Sequence, residues 1–218
     1  MTCLCYCIYL FMEIIANFVA LEGCDGSGTT TQLSMLKKRL EEYKKPLFFP
    51  TYEPTGGPTG GLIRSALRKE ITLDPKTLCF LFAADRNEHL NGKEGVLARA
   101  KRGELVVSDR YVLSSLVYQG IECGDDLPNL LNARFPYPEL TIYLDIKPRA
   151  AIERMKNRSS LEIYEYLEFQ EKVNVKYMSA LKAYGKKARV SIIDAAKSAE
   201  EVADKVWSEI REMPIFNS

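Results

Sequence analysis

Residues 18–33, FVALEGCDGSGTTTQL, decide how this chain folds. Phe18-Val19-Ala20-Leu21 is a short apolar run that Glu22-Gly23 ends, the pattern of a buried strand meeting a glycine turn. Leu33, Leu36, Leu40 and Tyr43 then recur at helical spacing, with lysines and glutamates between them. The intervening Gly23-Cys24-Asp25-Gly26-Ser27-Gly28-Thr29-Thr30 meets seven of the eight places of the phosphate-binding pattern G-x-x-x-x-G-K-S/T. Thr29 occupies the lysine place. Glycines let successive backbone N–H groups point at phosphate oxygens, and the helix N-terminus adds partial positive charge. Neither effect needs a lysine, and Thr30 can still offer its hydroxyl to Mg²⁺. What Thr29 lacks is a point charge on the β- and γ-phosphates, where charge builds during transfer. One such group is worth about 10²–10³ in rate. The plainer alternative is a glycine turn that merely joins strand to helix.

Other apolar runs repeat the strand-then-helix rhythm. Leu47-Phe48-Phe49, Leu105-Val106-Val107, the run 140–144 and the run 189–193 are the further strands. Asp74-Pro75 starts a helix, with Asp as N-cap and Pro at the first position, and Asn91-Gly92 breaks it. Pro148 opens another helix. Ser198 with Glu201 forms a capping box for the last one, whose Val202, Val206 and Ile210 share a face. Alternating short strands and helices predict an α/β fold: a five-stranded parallel sheet with helices on both faces. Ligands of such sheets bind at the carboxyl ends of the strands. The unusual residues gather there, at 23–31, at the glycine- and proline-rich loop 53–61, and at Asp109-Arg110.

Composition narrows the function classes. The 218 residues suit one domain, and 46% apolar with 27% charged side chains is an ordinary globular balance. Thirty basic against 29 acidic groups leave no global basic field to hold nucleic acid. Cysteines at 3, 5, 7, 24, 79 and 123 match neither a zinc site nor a disulfide framework, and reduced cytosolic thiols are expected. The apolar start MTCLCYCIYLF lacks basic residues and is too short to span a bilayer, so it reads as an extension before Met12 rather than an anchor. The expected organisation is an N-terminal extension over 1–17, one domain over 18–212, and a tail over 213–218. No repeat or linker is evident.

Other residues carry chemistry. Asp109 after an apolar strand stands where phosphate-binding folds hold magnesium, and Arg110 beside it can fork onto phosphate oxygens. A surface ion pair is the alternative. Phe82 and Arg86 lie four apart on one helix face, and a ring with a guanidinium suits a flat base. Phe82 can instead be core, and Arg86 can pair with Glu53 or Asp85. Gln119 can both donate and accept, as a pyrimidine edge requires, or simply end a helix. Arg64 is placed to hold a second phosphate, or is a solvated helix residue. His89 reads as a surface helix residue.

Together these stretches resemble the thymidylate kinase family of P-loop nucleoside monophosphate kinases. The similar segments are FVALEGCDGSGTTTQL (18–33), EPTGGPTGGLIR (53–64), FLFAADRNEHL (80–90), VVSDRYVLSSLVYQG (106–120) and LTIYLDI (140–146), followed by a helix with Arg154. The resemblance implies transfer of the ATP γ-phosphoryl group to dTMP, with Mg²⁺, by a cytoplasmic homodimer without nucleic-acid or membrane partners. It implies that residues 23–30 cradle the ATP phosphates and that Asp25 lies near the acceptor sugar. Glu53 with Pro54 would shape the acceptor side, and Arg64 and Arg110 would hold phosphate oxygens. Phe82 would stack on thymine, Arg86 and Gln119 would bond the base, and Tyr118 would crowd the 2′ position. Thr30 and Asp109 would organise Mg²⁺.

Two departures from the family pattern stand out. Thr29 replaces the lysine, and the expected lid around 158–165 reads Leu161-Glu162-Ile163-Tyr164-Glu165 at the place where many members carry an arginine. Members lacking that arginine carry one at the place of Gly26 or Ser27, and here neither is arginine. Arg154 and Arg158 flank the lid and are the candidate substitutes, with Arg158 read as catalytic beside Asp109 and Arg110. The alternative function is a nucleotide-binding protein with weak or no kinase activity. A third reading keeps the enzyme and changes the acceptor, for example to dUMP.

Overall fold

The computed structural model describes residues 13–43, 46–155 and 160–217, with 160–165 by backbone alone. The sheet they contain runs β2 (Phe48–Tyr52), β3 (Leu105–Asp109), β1 (Ile14–Gly23), β4 (Tyr137–Asp145) and β5 (Val190–Asp194) in space, every neighbouring pair parallel. The expected α/β class and five parallel strands are therefore observed. In β1, Phe18 through Leu21 are at most 1% exposed, so side chains pointing to both faces are covered. Only a sheet sandwiched between helices does that. One face carries α1 (Thr29–Glu41) packed against α9 (Ala199–Arg211), and α5 (Val112–Cys123) packs against α8 (Ser160–Tyr184).

Cap chemistry sets several helix ends as the sequence predicts. The Asp74 side chain accepts from the N–H groups of Lys76 and Thr77, and Pro75 opens α3 (Pro75–Asn91). Ser198 and Glu201 form both halves of the capping box that starts α9.

Four local features differ from the sequence reading. β1 begins at Ile14, not Phe18. Asn17 adopts a left-handed backbone (φ 62°), and the register with β4 shifts between Ile15 and Val19. This bulge breaks the apolar run, and Glu139 holds it by accepting from the Asn17 N–H at 2.6 Å. At the other end, Met213 is fully buried and Phe216 packs edge-on against Trp207, so 213–217 are docked on the domain. His89 is no surface residue: its side chain is 7% exposed, and its ring nitrogens reach Glu53 Oε1 at 2.9 Å and Thr51 Oγ1 at 2.7 Å. Arg158 and the start of the expected lid lie outside the described residues, while 160–165 are the first turns of α8.

Candidate functional site

The loop after β1 leaves the centre of the sheet, between the carboxyl ends of β3 and β4. Two of its glycines, Gly26 (φ 82°) and Gly28 (φ 98°), have left-handed backbones that a side chain would strain. Gly26 also lies so close to the Ala151 carbonyl that a Cβ would collide with it. Residues 24–28 therefore turn tightly, with the Ser27 N–H donating to the Cys24 carbonyl at 3.1 Å, and deliver the chain into the N-terminus of α1. Thr29 is the first, buried residue of that helix. Burial and the Asp25 carboxylate push the Cys24 thiol up to about 11, so at neutral pH it acts as a small apolar group.

Beside this turn, Asp109 ends β3. Its Oδ2 accepts from the Thr30 hydroxyl at 2.6 Å, while its Oδ1 is buried with no hydrogen-bond partner. An orphaned carboxylate oxygen next to a hydroxyl is an all-oxygen donor set that suits a hard divalent cation such as Mg²⁺.

Arg110 follows in a left-handed backbone (φ 73°). Its guanidinium donates to the Gly23 carbonyl at 3.0 Å, to Ser114 Oγ at 3.2 Å and to Asp25 at 2.6 Å, and it lies over the Tyr118 ring. Burial opposes its charge, but Tyr118, Tyr177 and the carboxylates of Asp25 and Asp109 outweigh that and keep it firmly protonated. Asp25 takes three more donors: the hydroxyls of Tyr118 (3.1 Å) and Tyr166 (2.7 Å) and the amide of Gln170 (3.3 Å).

A cavity of about 950 Å³ opens next to this cluster. Asp25, Glu53, Phe82, Arg86, Arg110, Tyr118 and Gln119 are among the residues that line it. These are seven of the eight residues that the family resemblance assigns to the acceptor, drawn from four separated segments. Gln119 is 3% exposed, and its Oε1 has no partner, an acceptor waiting for a donor. Phe82 is half-buried, so its ring faces the cavity rather than the core.

Two arginines bond to the protein around the cavity. Arg64 is not among the residues lining the cavity, and it donates to the carbonyls of Pro54 and Thr55, holding the glycine-rich loop. That loop is pinned again where Asp85 accepts from the Thr55 N–H and hydroxyl, both at 2.7 Å. A Cβ at Gly60 would run into the Thr55 backbone, so a glycine is required there. Arg86 is 1% exposed and takes the Glu53 pairing, with Nε and Nη2 on Oε2 at 2.9 and 2.7 Å. It also donates to Asn132, the Tyr111 carbonyl and Ser115. Nη1 keeps a second hydrogen outside these bonds. Of the proposed substitute cations, Arg154 is exposed and donates to the Lys197 carbonyl at 3.2 Å, one turn beyond the Ala151 contact with the phosphate loop.

Sequence reading missed Glu22, Tyr166 and Gln170. Glu22 is fully buried at the end of β1, where burial raises its pKa against the pull of Ser114 and Arg110. A charged residue ending an apolar run was its only signal. Tyr166 and Gln170 stand four apart on α8, a spacing that puts them on one face.

The family model for thymidylate kinase matches residues 21–206, which include every element of this site. The chain belongs to the thymidylate kinase family. It is 32% identical over 205 residues to the thymidylate kinase of Clostridium novyi (strain NT), covering 89% of this chain and 96% of that one. Two relatives carry the same name in qualified form. One, from Treponema pallidum (strain Nichols), is 40% identical over 205 residues, 92% of this chain and 98% of the relative. The other, from Pyrobaculum aerophilum, is 39% identical over 200 residues, 91% of this chain and 98% of the relative.

Proposed function

We propose that this chain transfers the γ-phosphoryl group of ATP to dTMP, giving ADP and dTDP. The observation that carries the reading is Arg110. It bonds the carbonyl of the phosphate loop's first glycine and also lines the acceptor cavity, so one cation spans the donor and acceptor sides. A phosphate oxygen of dTMP forms the new bond to phosphorus as the bond to the bridging oxygen of ADP breaks, in line and without a covalent enzyme intermediate. The protein's work is then positioning and charge neutralisation. Residues 23–30 bind the ATP phosphates through backbone N–H groups. Arg110 holds the acceptor phosphate. Gln119 accepts from the imide N–H of the pyrimidine, and Phe82 stacks on the ring. Mg²⁺, held by Thr30 and Asp109, supplies positive charge on the phosphate oxygens when bound. Arg64 and Arg86 act through the walls of the cavity, by fixing the glycine-rich loop and Glu53. Homodimer assembly and a cytoplasmic setting complete the reading by family likeness; no described helix is long and apolar enough to cross a membrane.

A coupled assay of ADP release with ATP, Mg²⁺ and dTMP tests the proposal. Turnover that requires dTMP supports it, and folded protein without dTMP-dependent turnover overturns it. A second reading, nucleotide binding with little transfer, rests on the buried Thr29 at the lysine place. It requires calorimetric binding of dTMP or ATP without product. Rates for dTMP, dUMP and dCMP measured side by side decide the acceptor.

A further inference from the structure

We propose that Glu22 is a positioning residue that fixes Arg110 for the acceptor phosphate. The inference rests on the reading that Arg110 holds that phosphate. Glu22 is fully buried, and its carboxylate sits under the turn that carries Arg110. Its Oε1 accepts from the backbone N–H groups of Tyr111 at 2.9 Å and Ser114 at 3.3 Å. Its Oε2 accepts from the hydroxyls of Ser114 at 2.6 Å and Tyr177 at 3.1 Å.

The contacts divide the work between two oxygens. Oε1 meets only backbone N–H groups, which can only donate. It caps α5, whose own N-cap residue, Tyr111, supplies no side-chain cap. Oε2 takes the Ser114 proton, which turns a lone pair of Ser114 Oγ toward the Arg110 guanidinium 3.2 Å away. Three successive residues of β1 thereby clamp one arginine. Leu21 accepts from the Arg110 N–H at 2.8 Å, Glu22 holds the turn that follows, and Gly23 accepts from the guanidinium at 3.0 Å. A non-glycine residue in left-handed backbone persists only where its surroundings over-determine it, and these contacts do so.

Calorimetry with dTMP and with thymidine, on the full chain, separates this role from general support of the fold. The nucleoside lacks the phosphate but fills the same cavity. Glu22→Gln keeps the Oε1 cap and replaces the Oε2 acceptor with a donor. It should weaken dTMP binding about tenfold or more, as expected for losing a charge-assisted contact, and leave thymidine binding within about twofold. In an Arg110→Ala background the same change should cost less than about twofold on dTMP. Equal loss for both ligands, or no loss for either, overturns the proposal. If Arg110→Ala leaves the preference for dTMP over thymidine intact, the reading of Arg110 itself fails, and the two failures stay distinct. Should Glu22→Gln not fold, Ser114→Ala removes only the hydroxyl link. It must also weaken dTMP selectively, and unchanged dTMP binding in that variant overturns the proposal.

Discussion

Removing the Glu53 carboxylate should destabilise the protein more than almost any other single truncation in the acceptor wall. Glu53 and Arg86 are 3% and 1% exposed, and Glu53 Oε2 receives both Nε and Nη2 of the arginine. After Glu53→Ala, a buried guanidinium keeps only neutral partners: Asn132, Ser115 and the Tyr111 carbonyl. Breaking a buried pair by removing one partner costs about 3–5 kcal/mol, because the remaining charge is uncompensated. That is a large share of the roughly 5–15 kcal/mol that keeps a domain folded. At about 2–4 °C per kcal/mol for a chain of this size, Tm should fall by about 6–20 °C. Urea unfolding and calorimetry of Glu53→Ala, Arg86→Met and the double variant measure this directly. Replacing both charges with apolar groups is often neutral, so the double variant should be more stable than either single. Additive losses, or a Glu53→Ala loss below about 1 kcal/mol, would mean that water or another group compensates the guanidinium, and the ion-pair reasoning would be wrong.

Three further outcomes are expected. Thr29→Lys should raise kcat by about 10²–10³ in the coupled assay if transfer is limited by charge on the migrating phosphoryl, and an unchanged kcat would show that other cations already suffice. Gln119→Leu should lower kcat/KM for dTMP by about 1–3 kcal/mol in transition-state terms, because the unpartnered Oε1 meant for the base disappears, while KM for ATP holds. Cys24, held near 11 by burial, has roughly one thiolate in 3,000 at pH 7.5, so iodoacetamide should leave it unmodified in peptide mass spectra. Labelling should climb tenfold per pH unit below that pKa, and ready labelling at pH 7.5 would contradict the burial of the thiol.

The sequence was legible where its signals are local. Asp74-Pro75 and Ser198 with Glu201 mark helix starts by cap chemistry that needs no distant partner, and both stand as expected. The strand, glycine turn and helix start around residues 18–30 were legible for the same reason, since all three are local. Phe82 and Arg86 came from spacing on a helix, since they share a face wherever that helix packs, whereas Asp25, Glu53 and Tyr118 came from the family resemblance. What failed to show was long-range partnering of polar groups. His89 looks solvated until Glu53, 36 positions away, is placed against it. Nothing local showed that Arg64 donates to the Pro54 and Thr55 carbonyls, ten and nine positions away. Tyr166 and Gln170 meet Asp25 across 141 and 145 positions, and no local pattern encodes that. The start of β1 was missed because the bulge at Asn17 interrupts the apolar run that periodicity relies on.

On the proposed function, these partnerships give a loop with Thr29 at the lysine place a cation to use. Arg110 rests on Asp25 at 2.6 Å, a contact that would compete with any incoming phosphate. An arginine tied to a carboxylate with no other donors would leave that carboxylate orphaned on departure, at a cost that offsets the new bond to phosphate. Asp25 is not in that position. Its Oδ1 also accepts from Tyr118, and its Oδ2 accepts from Tyr166 and Gln170, so both oxygens stay satisfied when Arg110 turns away. Tyr118 and the α8 pair therefore lower the cost of exchanging one anion for another at the same guanidinium. Glu22 stays bonded to the N–H groups of Tyr111 and Ser114, and so holds the turn after Arg110 throughout the exchange. The surroundings of Arg110 thus suit a cation that changes partners without changing place, which a migrating phosphoryl group requires once the loop itself contributes only backbone dipoles.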